Sequence, residues 1–138
     1  MASFPNKLVA VLNKSIPPGN LMNALAHLCI GFGAKIGQEP LRLTNYRDAD
    51  GGDHPYISEI PFMVLEANSN KLRALRQAAI EQKIEFSDFT NTMTVGSFEE
   101  QLKLSAETPE SEMIYYGVVL FGDWEKVSAL TKKFSLWK

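Results

Sequence analysis

The sequence predicts an α/β fold: a single three-layer domain over residues 1–138, in which a mixed, mostly parallel sheet of four to five strands is flanked by helices. Three observations carry this expectation. Short apolar runs alternate with longer segments of three-and-four-residue apolar spacing, in the order β-α-β-α-β-α-β-α with a short final strand or tail. The runs at residues 8–12 and 113–121 are almost continuously apolar, the pattern of strands buried on both faces. Glycine, proline and asparagine gather between the runs, where turns and helix caps belong.

The first strand, residues 8–12, is stopped by Pro17 and Pro18, which preset the first turn of a helix. Leu21, Leu25, Leu28, Cys29 and Phe32 give that helix its buried stripe, and Gly31 and Gly33 either end it or let it pack closely. Residues 38–53 are mixed, with Pro40, a short strand over residues 41–44 and the turn Asp50-Gly51-Gly52-Asp53, which is the expected mobile loop. Residues 55–66 read as one long strand with Pro61 at a bulge or an edge, because proline cannot donate to a central ladder. Asn68, Ser69 and Asn70 are alternative caps for a second helix that carries Leu72, Leu75, Ala79 and Ile80 on one face and runs to about Lys83. Residues 85–94 form an alternating, threonine-rich strand. Val95-Gly96-Ser97 leads to a polar helix over residues 98–106, which stops before Thr108-Pro109. The apolar strand 113–121 follows, then a turn at Gly122-Asp123 and a last helix from Trp124 to about Lys133. Residues 134–137 are a short strand or a tail.

At 138 residues, 45% hydrophobic and 22% charged, the chain can bury a core without disulfides or a structural metal. Fourteen basic and sixteen acidic residues leave a net charge of -2. No lysine or arginine run forms a phosphate-tracking stripe, so nucleic acid is not an expected partner. Cys29 is the only cysteine, which excludes a disulfide within one chain and points to a reducing, cytoplasmic setting. The opening MASFPNKLVAVLNKS is too short in its apolar part and wrongly flanked for a leader, and no span is long enough to cross a bilayer. A membrane partner is therefore not expected. His27 and His54 stand alone, without HxxxH or CxxC spacing, and neither a dinucleotide fingerprint nor a P-loop is present. The expected cofactor and metal content is none.

The candidate site lies where the first strand breaks into the first helix. Pro18, Gly19 and Asn20 open that helix, and helical spacing puts Asn20, Asn23 and His27 on one side of it. A strand that turns through glycine into a helix places polar groups at the carboxyl end of a sheet, where ligands are met. Backbone N–H groups at Gly19 and Asn20 would receive a carboxylate or phosphate there. Asp88, Asn91 and Thr92 on the middle strand are expected to face the same cleft, with Asp88 orienting water and Thr92 donating a hydrogen bond. Structural roles stand beside these: His27 at the core boundary bonded to a backbone carbonyl, Thr92 paired within the fold, and His54 exposed in its glycine loop. Tyr115, Tyr116 and Trp124 are read as packing residues.

Three segments resemble peptidyl-tRNA hydrolases of the second type. KLVAVLNKSIPPGNLMNALAHL is similar to the family's opening strand, turn and helix, SDFTNTM at residues 87–93 to its aspartate and threonine strand, and IYYGVVLFGDWEKVSALTKKF to its last strand and helix. The resemblance covers both ends and the middle of the chain and implies that fold. Within it, Gly19 falls on the family's glycine, His27 on its helix histidine, and Asp88 and Thr92 on its aspartate and threonine. Asn20 stands where the family has lysine, Ala24 where it has glutamine, and Phe89, Thr90 and Asn91 replace a small-glycine-arginine run. The closer likeness is to the uncharacterised bacterial proteins grouped as domain of unknown function 2000, which carry a proline-proline-glycine-asparagine opening. That likeness implies the same fold and no assigned activity.

Cleaving the ester between a peptide and a tRNA ribose needs an activated water and a donor for the developing oxyanion, and a cation helps to hold nearby phosphates. Asparagine at position 20 donates but carries no charge. The expected function is therefore binding of a small polar or anionic ligand at the helix start. His27, Asp88 and Thr92 are the catalytic candidates, and Pro18, Gly19, Asn20, Asn23 and Asn91 the ligand-binding candidates. One alternative is a hydrolase of peptidyl-tRNA or a related aminoacyl ester, in which Asp88 positions water and Asn20 polarises the carbonyl. The other is a noncatalytic module that forms a homodimer through an exposed helix or edge strand.

Overall fold

Strand β1, Asn6–Asn13, occupies the centre of a five-stranded sheet because its apolar run is buried from both sides, with Val9, Ala10 and Val11 fully enclosed. The computed structural model describes residues 4–138, and the first three residues of the segment weighed above as a leader lie outside them. After β1 come α1 (Pro18–Ile36), β2 (Leu43–Arg47), β3 (Asp53–Ser58), β4 (Phe62–Ala67), α2 (Ser69–Glu81) and β5 (Glu85–Thr90). A 3₁₀ turn at Asn91–Met93 leads to α3 (Phe98–Glu107), and a second at Glu110–Glu112 leads to β6 (Tyr115–Asp123), α4 (Trp124–Thr131) and β7 (Ser135–Leu136). No helix among the described residues is long and apolar enough to cross a membrane.

The sheet order is β5-β6-β1-β4-β7. The sheet is mixed, as expected, but it is not mostly parallel. Only β1 and β4 pair in parallel, while β1 with β6, β5 with β6 and β4 with β7 are antiparallel. A parallel pair needs a crossover that covers a face. Between β5 and β6 the connecting helix α3 packs on the Asn91–Met93 turn instead of a sheet face, so the chain returns antiparallel.

Strand alternation sorts the core into two layers. Leu8, Ala10, Phe89, Val119 and Phe121 point to one face and pack with Ala24, Leu28 and Phe32 of α1. Val9, Val11, Leu65, Val118 and Leu120 point to the other and pack with Leu72, Leu75 and Ala79 of α2 and Val127 of α4. Ile80, placed by periodicity on the buried face of α2, is 42% exposed.

Three local expectations change. Helix α1 runs straight through Gly31 and Gly33 and stops at Gly37, whose φ of 96° is left-handed and whose N–H donates to the Gly33 carbonyl. A Cβ at Gly31 or Gly33 would meet no atom within 4 Å, so close packing does not explain either glycine. The single strand expected over residues 55–66 is two strands in different sheets: β3 pairs with β2 as a separate two-stranded arm, and β4 joins the main sheet. The break is built by Ser58, whose Oγ donates to the Leu41 carbonyl and accepts the Ile60 N–H, and by burial of Ile60. Pro61 sits in that break. The arm's bulge is at Tyr56, which is skipped between the pairs Thr44–Ile57 and Asn45–Pro55 and has φ 66°. The third change is β5, which ends at Thr90 because residues 91–93 turn. Of the alternative caps, Asn68 caps α2 by accepting the Lys71 N–H at 2.9 Å.

Candidate functional site

Strands β1, β4 and β5 run in one direction, so their carboxyl ends lie along the same edge of the sheet. Helix α1 leaves that edge from Pro18 and presents three stripes. Leu21, Ala24, Leu28 and Phe32 face the sheet, Asn20, Asn23 and His27 lie along one flank, and Cys29 and Gly33 lie along the other.

The polar flank lines a cleft of about 420 Å³ with residues from β5, β6 and α3. Its floor is a row of rings: His27 stacks on Phe89 at 6.0 Å with 20° between planes, and Phe89 meets Tyr116 at 6.0 Å. Around it stand the amides of Asn20, Asn23 and Gln101 and the hydroxyl of Thr94, which donates to the Asn91 carbonyl at 2.8 Å. No lysine or arginine lines this cleft.

Of the residues singled out in the sequence, Asn20, Asn23 and His27 therefore converge. The others do not join them. Asp88 lies across the sheet: alternation turns Phe89 toward α1 and Asp88 toward α2, where its carboxylate accepts from Arg76 Nε at 3.0 Å. Thr92 is 1% exposed, and its hydroxyl is held between Thr90 and Ser105, each at 2.7 Å, in a chain of three hydroxyls that ties the Asn91–Met93 turn to α3. Asn91 is a strand-end clamp: its N–H donates to the Ile114 carbonyl and its side-chain oxygen accepts the Ile114 N–H, both at 2.9 Å. Pro18 and Gly19 open α1 as expected but lie outside the cleft lining. The Asn20 N–H donates to the Pro17 carbonyl at 3.0 Å, so the pair of free amides expected at Gly19 and Asn20 is not available to an anion. His27 is exposed and rests on a ring, where a carbonyl partner was the structural expectation.

The Asp88 side of the sheet holds its own polar network. Arg73 donates to Glu110 at 3.1 Å and to the Met113 carbonyl, and the Tyr115 hydroxyl donates to Glu110 at 2.7 Å. Burial, and then the bond to Glu110, push the Tyr115 phenol up to about 12, while that same bond and Arg73 hold Glu110 below its usual range. Every charged member is paired, which is the arrangement of a structural brace. Among the described residues no three His, Cys, Asp or Glu side chains gather where they could hold a metal ion.

Thr94, Gln101 and Tyr116 were missed as cleft residues. Tyr116 could have been separated from Tyr115 by alternation alone, since successive strand residues face opposite sides. Gln101 carried a fainter signal. On α3 the half-buried positions are Gln101 and Ser105, whereas Phe98 and Leu102 are 69% and 56% exposed, so the helix turns its polar stripe inward.

The fold and the cleft define a three-layer α/β protein with a polar, ring-floored concavity beside its first helix. The family model described as protein of unknown function (DUF2000) matches residues 6–138, and the chain belongs to that family. Among solved structures it is similar to a protein of unknown function from Agrobacterium tumefaciens, with a TM-score of 0.85 at 22% identity over 99% of this chain and 100% of that one. No curated protein matches the chain.

Proposed function

We propose that this protein binds a small, uncharged polar molecule with a planar group in the cleft between α1, β5 and α3. The observation that carries this reading is the meeting of three amides and the Thr94 hydroxyl around a floor formed by the rings of His27, Phe89 and Tyr116. Amides supply paired donors and acceptors, and the rings supply a face for a flat group. The absence of lysine and arginine from the lining moves the expectation from anionic toward neutral ligands. A thermal-shift screen against nucleosides, nucleobases and end-blocked amino-acid amides tests it. A stabilising compound should lose about tenfold or more in affinity in Asn23→Ala and His27→Ala, a loss worth at least about 1.4 kcal/mol. A screen without a stabilising compound, or a hit indifferent to both substitutions, overturns it.

We infer a peptidyl-tRNA hydrolase type II-like fold from the three resembling segments. They fall on β1 with α1, on β5 with its following turn, and on β6 with α4, three adjacent strands of the sheet. Hydrolysis itself draws no support from the cleft, since Asp88 is paired across the sheet and His27 has no carboxylate to orient it. Turnover of a peptidyl-tRNA analogue by the wild type, lost in Asp88→Ala, would restore that reading. The single cysteine supports a reducing, cytoplasmic setting.

A second reading, a homodimeric interaction module, is favoured by α3, whose Phe98 and Leu102 face solvent beside Val95 at 62% exposure. Light scattering should then give a dimer that Phe98→Glu converts to monomer. A monomeric wild type at high concentration removes this reading and leaves the cleft proposal standing.

A further inference from the structure

On its second flank α1 faces a different space. Helix α1 packs over β6, β5 and β1, and the arm of β2 and β3 lies beside it, leaving a half-open pocket of about 600 Å³ between them. Leu8 and Val119 form its floor, Cys29 and Gly33 one wall, and Tyr56 and Ile57 the other. This volume is in the range of small-molecule sites, and the lining is mainly apolar.

The chemistry of the lining selects its occupant. Ser58 is already committed to the Leu41 carbonyl and the Ile60 N–H, and the Glu59 carboxylate at the rim is held by Arg42 at 2.8 Å. A peptide or a second copy of the chain would bring backbone N–H and C=O groups that these walls leave unpaired. A hydrocarbon molecule brings none.

Two departures from ordinary sequence rules border the space. Gly33 sits in the middle of α1 with no atom within 4 Å of where its Cβ would be, so its missing side chain is cavity volume and not a packing contact. Tyr56 takes a left-handed backbone, costly for a bulky residue, and lines the open side of the same cavity. We propose that the cavity between α1 and the β2–β3 arm is a binding site for a small, uncharged, mainly hydrocarbon molecule. It lies on the opposite flank of α1 from the polar cleft and does not rest on that reading.

The probe is N-phenyl-1-naphthylamine, a neutral apolar fluorophore, titrated into the full chain. Saturable binding of one molecule per chain is expected. Gly33→Leu, which grows into the cavity, should weaken binding by roughly tenfold or more without lowering the unfolding midpoint. The double substitution Phe98→Ser, Leu102→Ser removes the exposed stripe of α3 and should leave binding unchanged. In the wild type, bound probe should slow maleimide alkylation of Cys29, and this measurement decides alone if Gly33→Leu proves less stable. Absence of saturation, full binding by a stable Gly33→Leu variant, loss of binding in the α3 variant, or alkylation of Cys29 indifferent to the probe each overturns the proposal.

Discussion

Tyr115 and Asp88 show how little a residue's type says about its task until its face of the sheet is known. Tyr115 is 1% exposed, and its phenol, pushed up to about 12 from an ordinary 10.0, favours the neutral form in the folded protein. The stability this provides is complete below pH 10.0 and is lost as pH rises toward 12. Urea unfolding across that window should show the wild type losing roughly 1–2 kcal/mol, after allowing for the exposed Glu110 partner, and Tyr115→Phe losing little. Glu110 acts in the opposite sense: its lowered carboxyl adds stability above the usual carboxylate range that disappears as pH falls through it. Gly117 is a second telling residue. A Cβ there would meet Leu12 at 2.8 Å and Leu28 at 3.2 Å, both in the core, so Gly117→Ala should cost about 1–3 kcal/mol in the same unfolding measurement.

Among the elements, α1 and α3 illustrate opposite uses of amphipathicity. Helix α1 has the apolar stripe that periodicity announced, and it continues past two glycines because neither is needed as a stop. Gly33→Ala should raise stability by roughly 0.5–1 kcal/mol, since alanine loses less backbone freedom and its Cβ meets nothing. Helix α3 buries no residue and depends on its capping box, in which Ser97 accepts the Glu100 N–H and Glu100 accepts the Ser97 N–H. Ser97→Ala should cost about 1 kcal/mol locally and speed amide exchange over residues 98–107, with little change at β1 or β6. Equal acceleration throughout the protein would show that α3 opens only with the whole fold. The central strands β1 and β6 were readable from apolar runs, and helices from spacing and caps. The break at residues 59–61 was not, because an apolar stretch is the same string of residues whether it pairs with one neighbour or changes sheets midway.

Across the whole molecule, the sheet is a partition. His27 and Asp88, two of the four positions that the resemblance aligned on separate segments, end on opposite faces because α1 takes the Phe89 side and α2 the Asp88 side. Asp88→Asn should therefore lower stability by roughly 1 kcal/mol through loss of the Arg76 pair and leave ligand affinity in the polar cleft unchanged. An equal loss of affinity would mean that the two faces are coupled. Element types, the central position of β1, the three-residue polar stripe Asn20-Asn23-His27 and the family likeness were determined by the sequence itself, since periodicity, caps and apolar runs are local properties. Sheet direction, the separation of Asp88 from His27, the inward polar face of α3 and the two cavities flanking α1 were decided only by the tertiary structure. Each depends on which distant strand supplies the next hydrogen-bond ladder, and that choice is made by packing the whole core at once.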